Sequence, residues 1–193
     1  RNRIAIVPLS YRETQYDPGV KKEPFCLFVG TMTQPRKNVP RLIEAAKKYN
    51  FQLKLAGSLG NANSKRQLQS LIGQSTNIEL LGFVSDEELS SLYNRAKVFA
   101  LPSINEGVGL VALEAAMHGC NIVITDIGGP KEYYPTELVQ LVNPYHVDEI
   151  GLAVLKAMED DISQPRLRTL LEERYNVSSC TDTLIENYSK LLK

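Results

Sequence analysis

Two glutamates, Glu106 and Glu114, lie eight positions apart in the segment SINEGVGLVALEAAMHG (103–119). Glu106 belongs to a glycine-rich loop, whereas apolar residues surround Glu114, which predicts a helix that is buried on all sides. A buried carboxylate without a partner is costly, so Glu114 should have one. One candidate is His118, one helical turn later at ion-pair spacing. The other is the hydroxyl pair of a ligand, since acidic residues bind the ribose diol in dinucleotide sites.

Short apolar runs alternate with helical stretches, which predicts a parallel sheet covered by helices on both faces. The predicted strands are 25–30, 52–57, 77–82, 97–102, 121–126 and 138–143. The predicted helices are 38–49, 62–73, 85–96, 109–118, 129–134, 146–160, 165–174 and 178–192. Ser85 and Glu88 have capping-box spacing at the start of the third helix. We expect an α/β fold with a Rossmann-like, doubly wound parallel sheet of about six strands.

The loops after the first and fourth strands should form the ligand site. In the strand order 3-2-1-4-5-6, loops 30–38 and 102–109 meet at the switch point, where ligands of such sheets bind. We therefore expect Arg36 and Lys37 to face Glu106 and the N-terminus of the following helix.

The composition of these loops favours a diphosphate over a dinucleotide. The first loop has one glycine, Gly30, instead of G-x-G-x-x-G, and the chain contains no P-loop sequence. Lys37 would lie beside a glycine-lined helix N-terminus with free backbone N–H groups at 108–110. A cation and a helix N-terminus together suit a diphosphate.

The bulk properties exclude several classes of protein. The 193 residues carry 22 Lys plus Arg and 22 Asp plus Glu, so there is no electrostatic case for nucleic acid. The three cysteines have no metal-site spacing and are interpreted as reduced thiols of a cytoplasmic domain. No D-x-D sequence is present, and Asp160 and Asp161 end a helix away from the predicted crevice. We expect neither a metal nor a cofactor.

Several segments carry a family resemblance. They are VGTMTQPRKNVPRLIEAA, LLGFVSDEELSSLYNRAKVFALPSINEGVGLVALEAAMHG, which contains an E-x7-E pattern, and VITDIGGPKE. Between about residues 25 and 160 the chain resembles the family 4 retaining glycosyltransferases. This resemblance implies the C-terminal, donor-binding half of a GT-B fold. It further implies an interdomain linker at 1–24, a nucleotide-sugar-binding domain at 25–176, and a final helix at 177–193 that packs toward an N-terminal domain.

The resemblance also implies roles for individual residues. Glu114 would hold the ribose diol. Glu106, next to the donor sugar, and Lys37, on the diphosphate leaving group, would be the catalytic residues. The implied donor-binding residues are Gly30, Thr31, Arg36, Lys37, Phe83, Val84, Glu106, Gly107, Val108, Gly109, Leu110 and Glu114. In this set Gly109 and Leu110 offer backbone N–H groups, and Phe83 and Val84 frame the base. Thr31 departs from the family, in which many members carry an arginine there; Arg36 either replaces that arginine or points to solvent.

The resemblance implies transfer of a sugar from a nucleoside-diphosphate sugar to an acceptor hydroxyl with retained configuration. The sequence PRKN resembles mannosyltransferase-like members. The acceptor, a glycan or lipid-linked sugar, and any peripheral membrane association would belong to the N-terminal domain. This chain alone would then bind donor without transferring sugar, with Leu184, Tyr188 and Leu191 of the final helix exposed. The alternative is a non-catalytic module that binds a nucleotide or sugar phosphate.

Overall fold

A computed structural model describes residues 7–11 and 15–191. Its centre is a six-stranded sheet with the order β3-β2-β1-β4-β5-β6, and every neighbouring pair is parallel. The strands are β1 (Glu23–Val29), β2 (Gln52–Ala56), β3 (Ile78–Gly82), β4 (Ala96–Leu101), β5 (Asn121–Thr125) and β6 (Gln140–Val142). The predicted fold class and strand order are confirmed.

Eight α-helices connect and cover the strands in this part of the chain. They are α1 (Val39–Tyr49), α2 (Ala62–Ile72), α3 (Asp86–Arg95), α4 (Leu110–Met117), α5 (Pro130–Tyr133), α6 (Val147–Glu159), α7 (Ser163–Tyr175) and α8 (Val177–Leu191). A single 3-10 turn, Pro35–Lys37, precedes α1. Helix α1 packs against α6, and α4 packs against α7. Right-handed crossovers place α1 and α4 on opposite faces, because the chain moves in opposite directions from β1 and from β4.

The central strands are apolar and buried because both faces of the sheet are covered. In β1, the residues from Phe25 to Phe28 are buried, and every residue of β5 is buried. Helix α3 begins at the predicted capping box: the Ser85 side chain accepts from the Glu88 amide, and the Glu88 carboxylate accepts from the Ser85 amide. The local sequence therefore determines where this helix starts.

Element ends differ from the predicted ones by a few residues. Strand β6 occupies 140–142 instead of 138–143, because a turn in which the Leu138 amide donates to the Pro135 carbonyl precedes it. Strand β1 begins at Glu23, two residues before the predicted start.

The segment before β1 is attached to the domain where it is described. The Asp17 amide donates to Asn94 Oδ1 at 3.1 Å. Lys22 Nζ donates to the carbonyls of Tyr93 and His118, at 3.0 and 2.6 Å, near the ends of α3 and α4. Residues 1–6 and 12–14 of the predicted linker lie outside the described residues.

At the other end of the chain, α8 exposes Leu184, Ile185 and Tyr188. The side chain of Leu191, the third residue of the predicted exposed face, lies outside the described part. Within residues 7–11 and 15–191, no helix combines the length and the hydrophobicity that crossing a membrane requires.

Candidate functional site

The site lies where the sheet order reverses, at the carboxyl ends of β1 and β4. The two loops that leave these strands touch: the Ile104 amide donates to the Arg36 carbonyl at 2.7 Å. Strands β1 and β4 are neighbours whose following helices diverge to opposite faces, which is the place where doubly wound sheets form their ligand crevice. The predicted meeting of loops 30–38 and 102–109 is confirmed.

A cluster of charges occupies this corner. Lys37 Nζ lies 2.7 Å from Glu106 Oε2, and the exposed fractions of the two side chains are 11% and 10%. Ser103 Oγ donates to the same oxygen at 3.0 Å. Arg36 is 3.6 Å from it, but its side chain is 52% exposed. The sequence expectation that Arg36 and Lys37 face Glu106 is therefore correct.

These contacts hold the carboxyl group of Glu106 in its ionised form. Burial acts to raise its pKa. The hydrogen bond and the charge of Lys37, the Ser103 hydroxyl and the charge of Arg36 outweigh burial, so the pKa of Glu106 lies below its usual value. At neutral pH the site thus contains one carboxylate with two cations around it.

The N-terminus of α4 forms the next part of the site. Gly109 caps the helix with a φ of 75°, and a Cβ atom at this position would come within 3.0 Å of Ile124 Cδ1. The carbonyl oxygen of Gly109 accepts the hydroxyl of Tyr134 at 2.9 Å. The Leu110 and Val111 amides precede the first helical hydrogen bonds and so remain available at this end of the helix. Tyr134 therefore fixes the turn that presents them.

The approach to this helix end is open on one side and tightly packed on the other. A Cβ atom on Gly107 would meet nothing within 4 Å. By contrast, Gly128 forms a β-bridge with Glu106, and the Gly129 amide donates to the Glu106 carbonyl at 3.0 Å. A Cβ atom at Gly128 would lie 2.0 Å from the backbone carbonyl oxygen of Glu106, and one at Gly129 would lie 2.2 Å from that of Gly107.

The double glycine therefore supports the Glu106 loop through close backbone contact. Gly128 and Gly129 lie in the family segment VITDIGGPKE, where the G-G pair follows a buried strand after two residues. A G-G pair indicates a turn or a close backbone approach, but it does not indicate which backbone is approached.

The surroundings of Glu114 differ from the expected ones. Helix α4 is not buried on all sides: Glu114 and Val111 are half-buried and Leu110 is exposed, so one strip of the helix faces outward near its N-terminus. Tyr93 Oη lies 3.4 Å from Glu114 Oε2. Burial, followed by the charge of Glu114, raises the pKa of Tyr93 well above its usual value, so its hydroxyl is a donor. The short apolar run hid this strip because its few outward positions include Leu110 and Val111.

His118 uses the main chain of Glu114. Its Nδ1 lies 2.9 Å from the Glu114 carbonyl oxygen, and its Nε2 lies 3.5 Å from Ser90 Oγ. The ring is buried and stacks on Tyr93 at a centroid distance of 5.2 Å. Burial lowers the pKa of His118, so the imidazole is neutral at neutral pH. These contacts do not support the interpretation of His118 as the charged partner of Glu114.

The remaining predicted residues lie along the same edge of the sheet. Gly30 and Thr31 directly follow β1, and the Thr31 carbonyl accepts from Gln34 in the turn that leads to Lys37. Phe83 and Val84 follow β3, two strands from β1, which is about 10 Å at the usual strand spacing. Phe83 is 89% exposed. The structure brings Lys37, Glu106 and α4 together but leaves Phe83 apart from them.

Within the stretches 7–11 and 15–191, no group of three or more His, Cys, Asp or Glu residues could hold a metal ion. Independence from metal stays a prediction.

Comparison with known proteins identifies the family. The sequence model of the family "Glycosyl transferases group 1" matches residues 12–174, which is most of the chain. The chain belongs to this family. The crevice at the switch point is therefore the candidate active site of a group 1 glycosyl transferase domain.

Individual relatives agree with this assignment. This glycosyl transferase domain is 34% identical over 143 residues to an uncharacterized glycosyltransferase of Methanocaldococcus jannaschii, covering 72% of the chain and 36% of the relative. It is 31% identical over 180 residues to O-antigen chain mannosyltransferase B of Escherichia coli, covering 86% of the chain and 46% of the relative. The chain thus spans less than half the length of these relatives.

Among solved structures, HepE of Anabaena in complex with UDP and glucose has the same fold. The TM-score is 0.75 at 21% identity, covering 86% of the chain and 48% of HepE. At this identity the similarity establishes the GT-B-type Rossmann-like fold of the domain.

Proposed function

We propose that this chain supplies the donor-binding domain of a retaining glycosyltransferase. The reaction transfers a sugar from a nucleoside-diphosphate sugar to an acceptor hydroxyl and retains the anomeric configuration. One observation carries the proposal: Lys37 and Glu106 form a buried pair, 2.7 Å apart, at the switch point beside the N-terminus of α4. That corner offers a diphosphate a cation and aligned amides, and offers the attached sugar a carboxylate.

The diphosphate binds to Lys37 and to the amides of Gly109 and Leu110. When the bond from the sugar to the diphosphate breaks, negative charge grows on the departing oxygen. A fixed ammonium group and a fixed helix N-terminus stabilise this charge without reorganising, and they act more strongly in a site that excludes water. Lys37 and the start of α4 therefore supply the leaving-group part of the catalysis.

Glu106 lies next to the donor sugar in this arrangement. Its lowered pKa keeps it ionised, so it presents a negative charge toward the sugar as positive charge develops at the anomeric carbon. Lys37 can donate to Glu106 and to the phosphates at the same time, because an ammonium group has three N–H donors. Arg36, half-exposed and 3.6 Å from Glu106, adds a second cation where Thr31 provides none.

The nucleoside extends along the carboxyl edge of the sheet. The outward strip of α4 places the Glu114 carboxylate one turn from the helix N-terminus, where it accepts hydrogen bonds from the ribose diol. Phe83 and Val84 then frame the base. The exposed Phe83 ring offers a stacking surface.

The donor sugar is a hexose of the mannose type in this proposal. The PRKN sequence and the 31% identity to an Escherichia coli O-antigen mannosyltransferase support it. The acceptor, a glycan or lipid-linked sugar, and any membrane association belong to a second domain, because the chain spans less than half the length of its relatives. This chain alone binds donor and transfers no sugar. Holding donor and acceptor in line can lower the activation barrier by about 7–11 kcal/mol, and that contribution requires the second domain.

A non-catalytic nucleotide-binding module is the second candidate. One observation favours it: at Thr31 the chain lacks the arginine that the family resemblance leads us to expect, and Arg36 is half-exposed. Such a module would bind nucleoside diphosphates as tightly as a donor-binding domain does. It would transfer no sugar even when a second domain is supplied.

Two measurements test the proposal in sequence. Calorimetry of this chain with UDP, GDP, ADP and their nucleosides should reveal one preferred diphosphate that binds more tightly than its nucleoside. Transfer from the matching nucleotide hexoses is then assayed with and without a relative's acceptor domain, and NMR reads the anomeric configuration of the product. Transfer with inversion would refute the retaining mechanism, and absence of diphosphate binding would refute the site.

A further inference from the structure

Asn38 directly follows Lys37, the proposed phosphate-binding lysine, and it is unusual in three respects. It is only 2% exposed, its backbone is left-handed with φ 58° and ψ 29°, and its side chain is fully hydrogen-bonded. Asparagine tolerates this backbone conformation better than most residues, as glycine does. The backbone requirement alone would therefore be met by glycine and does not explain the buried amide.

The amide group of Asn38 joins loops that are far apart in the sequence. Its Nδ2 donates to the Pro102 carbonyl at 2.9 Å and to the Pro144 carbonyl at 2.6 Å, across 64 and 106 residues. Pro102 follows β4, and Pro144 lies two residues after β6. Asn38 itself follows the 3-10 turn in the loop after β1. One side chain thus ties the loops after β1, β4 and β6 together.

The partners fix which way the amide points. Two carbonyl oxygens can only accept, so the nitrogen must face Pro102 and Pro144. The guanidinium group of Arg41 can only donate, and its NH1 lies 2.8 Å from Asn38 Oδ1. All polar atoms of the side chain are satisfied in one orientation and in no other.

These bonds close a ring around the charge pair. Asn38 bonds to Pro102, whose neighbour Ser103 donates to Glu106 at 3.0 Å. Glu106 accepts from Lys37 at 2.7 Å, and Lys37 is covalently joined to Asn38. Hydrogen bonds in such a ring support one another, because each fixes the position of the next group.

We propose that Asn38 is the positioning residue of the phosphate site, whose amide locks the three loops together and thereby holds Lys37 against Glu106. The inference rests on the proposed function for the identity of the ligand, but the ring of contacts exists without it. Asn38 acts through Lys37 and does not touch the donor. Loss of its amide should release Lys37 and leave the nucleoside end of the site unchanged.

The test variant is Asn38→Gly, which keeps the left-handed backbone and removes only the amide. The chain offers a matched control in Asn50→Gly. Asn50 has nearly the same conformation, with φ 53° and ψ 37°, but is exposed, and within residues 7–11 and 15–191 its side chain has no hydrogen-bond partner. Asn38→Asp is a second variant with a larger expected disruption, since it replaces the donating nitrogen by a carboxylate oxygen that faces two carbonyl oxygens.

Binding is measured by calorimetry with inorganic pyrophosphate, UDP, GDP and ADP, and with the nucleosides. Asn38→Gly should bind pyrophosphate and the preferred diphosphate roughly tenfold more weakly, the equivalent of one charge-assisted hydrogen bond. Its nucleoside affinity should equal that of the parent. Asn50→Gly should match the parent for every probe. An equal loss for diphosphate and nucleoside would overturn the proposal, because a general loosening of the fold would produce it.

A second measurement needs no ligand. NMR titration of side-chain carboxyl carbons reports the pKa of Glu106, which contact with Lys37 keeps low in the parent. In Asn38→Gly this pKa should rise toward the usual glutamate value, and in Asn50→Gly it should not move. If the parent binds no diphosphate, the proposed function fails, and this titration still decides the role of Asn38. An unchanged Glu106 pKa in a folded Asn38→Gly would overturn it.

Discussion

The two sides of the proposed donor site, the phosphate side around Lys37 and the base side at Phe83, are built differently. On the phosphate side, hydrogen bonds between side chains hold Lys37, Glu106 and Ser103 together. On the base side, Phe83 stands 89% exposed at the end of β3. We therefore expect the charged half of the proposed site to need little rearrangement when a ligand binds, and the base half to need more.

The chemistry of the two halves explains this division. Charged groups stabilise a leaving group only if they are already oriented, since reorganisation would consume the benefit. An aromatic ring stacks on a base through its face and needs little orientation beforehand. Changes on the phosphate side should therefore have larger effects than changes on the base side.

The largest effect is expected for Lys37→Ala. The substitution removes the cation that we propose to bind the diphosphate and leaves Glu106 with half-exposed Arg36 as its remaining cation among the contacts described. Loss of the protein's partner to a buried ligand charge costs about 2–5 kcal/mol of binding free energy, and the pair expected here is Lys37 with the diphosphate. Calorimetry should show this loss for the diphosphate and little change for the nucleoside.

Arg36→Ala is the matched control for Lys37→Ala. An exposed ion pair contributes only about 0–1 kcal/mol, so its effect should be small. A larger loss in Arg36→Ala than in Lys37→Ala would show that Arg36, rather than Lys37, is the main phosphate ligand and that it compensates for Thr31.

The next effect is expected for Glu114→Gln. The carboxylate lies on the outward strip of α4, and loss of a charge-assisted hydrogen bond to ribose costs about 1.5–3 kcal/mol. Calorimetry should show weaker binding of both nucleoside and diphosphate, whereas pyrophosphate binding stays the same. A variant that binds normally but melts at a much lower temperature would show that Glu114 has a structural role.

A smaller effect is expected for Gly129→Ala. The new Cβ would lie 2.2 Å from the Gly107 carbonyl oxygen, and this backbone cannot move without shifting Glu106. Overpacking of this kind costs about 1–3 kcal/mol of unfolding free energy. Denaturant unfolding should detect it. Gly107→Ala, whose Cβ meets nothing within 4 Å, should be as stable as the parent; equal destabilisation of both would contradict the packing argument.

The smallest effect is expected for Phe83→Ala on the base side. Loss of a stacking ring should reduce nucleoside affinity by about 0.5–1.5 kcal/mol without changing pyrophosphate affinity or stability. Ile162→Ala, another exposed apolar truncation far from the crevice in sequence, is the control. An effect of Phe83→Ala as large as that of Lys37→Ala would refute the division of the site into two unequal halves.

The sequence predicted those features that depend on local patterns. Apolar runs and turn residues gave the strands and the switch point, and the Ser85–Glu88 spacing gave the start of α3. The meeting of Lys37 with Glu106 followed from strand order, because both residues lie in loops that leave neighbouring strands.

Features that depend on distant backbone atoms could not be predicted. The acceptors of Asn38 are carbonyls, which every residue has, so no sequence pattern marks Pro102 or Pro144. The close approach of Gly128 and Gly129 to the Glu106 loop is hidden for the same reason.

The central claim is that the donor diphosphate binds between Lys37 and the start of α4. The most direct test is NMR of the isotope-labelled chain during titration with its preferred nucleoside diphosphate. We predict that the largest shifts fall on the amides of 107–111 and on the side chain of Lys37, with smaller shifts at Glu114 and Phe83. Saturable shifts confined to another surface, such as the cleft beside α7 lined by Arg166 and Glu173, would contradict the account.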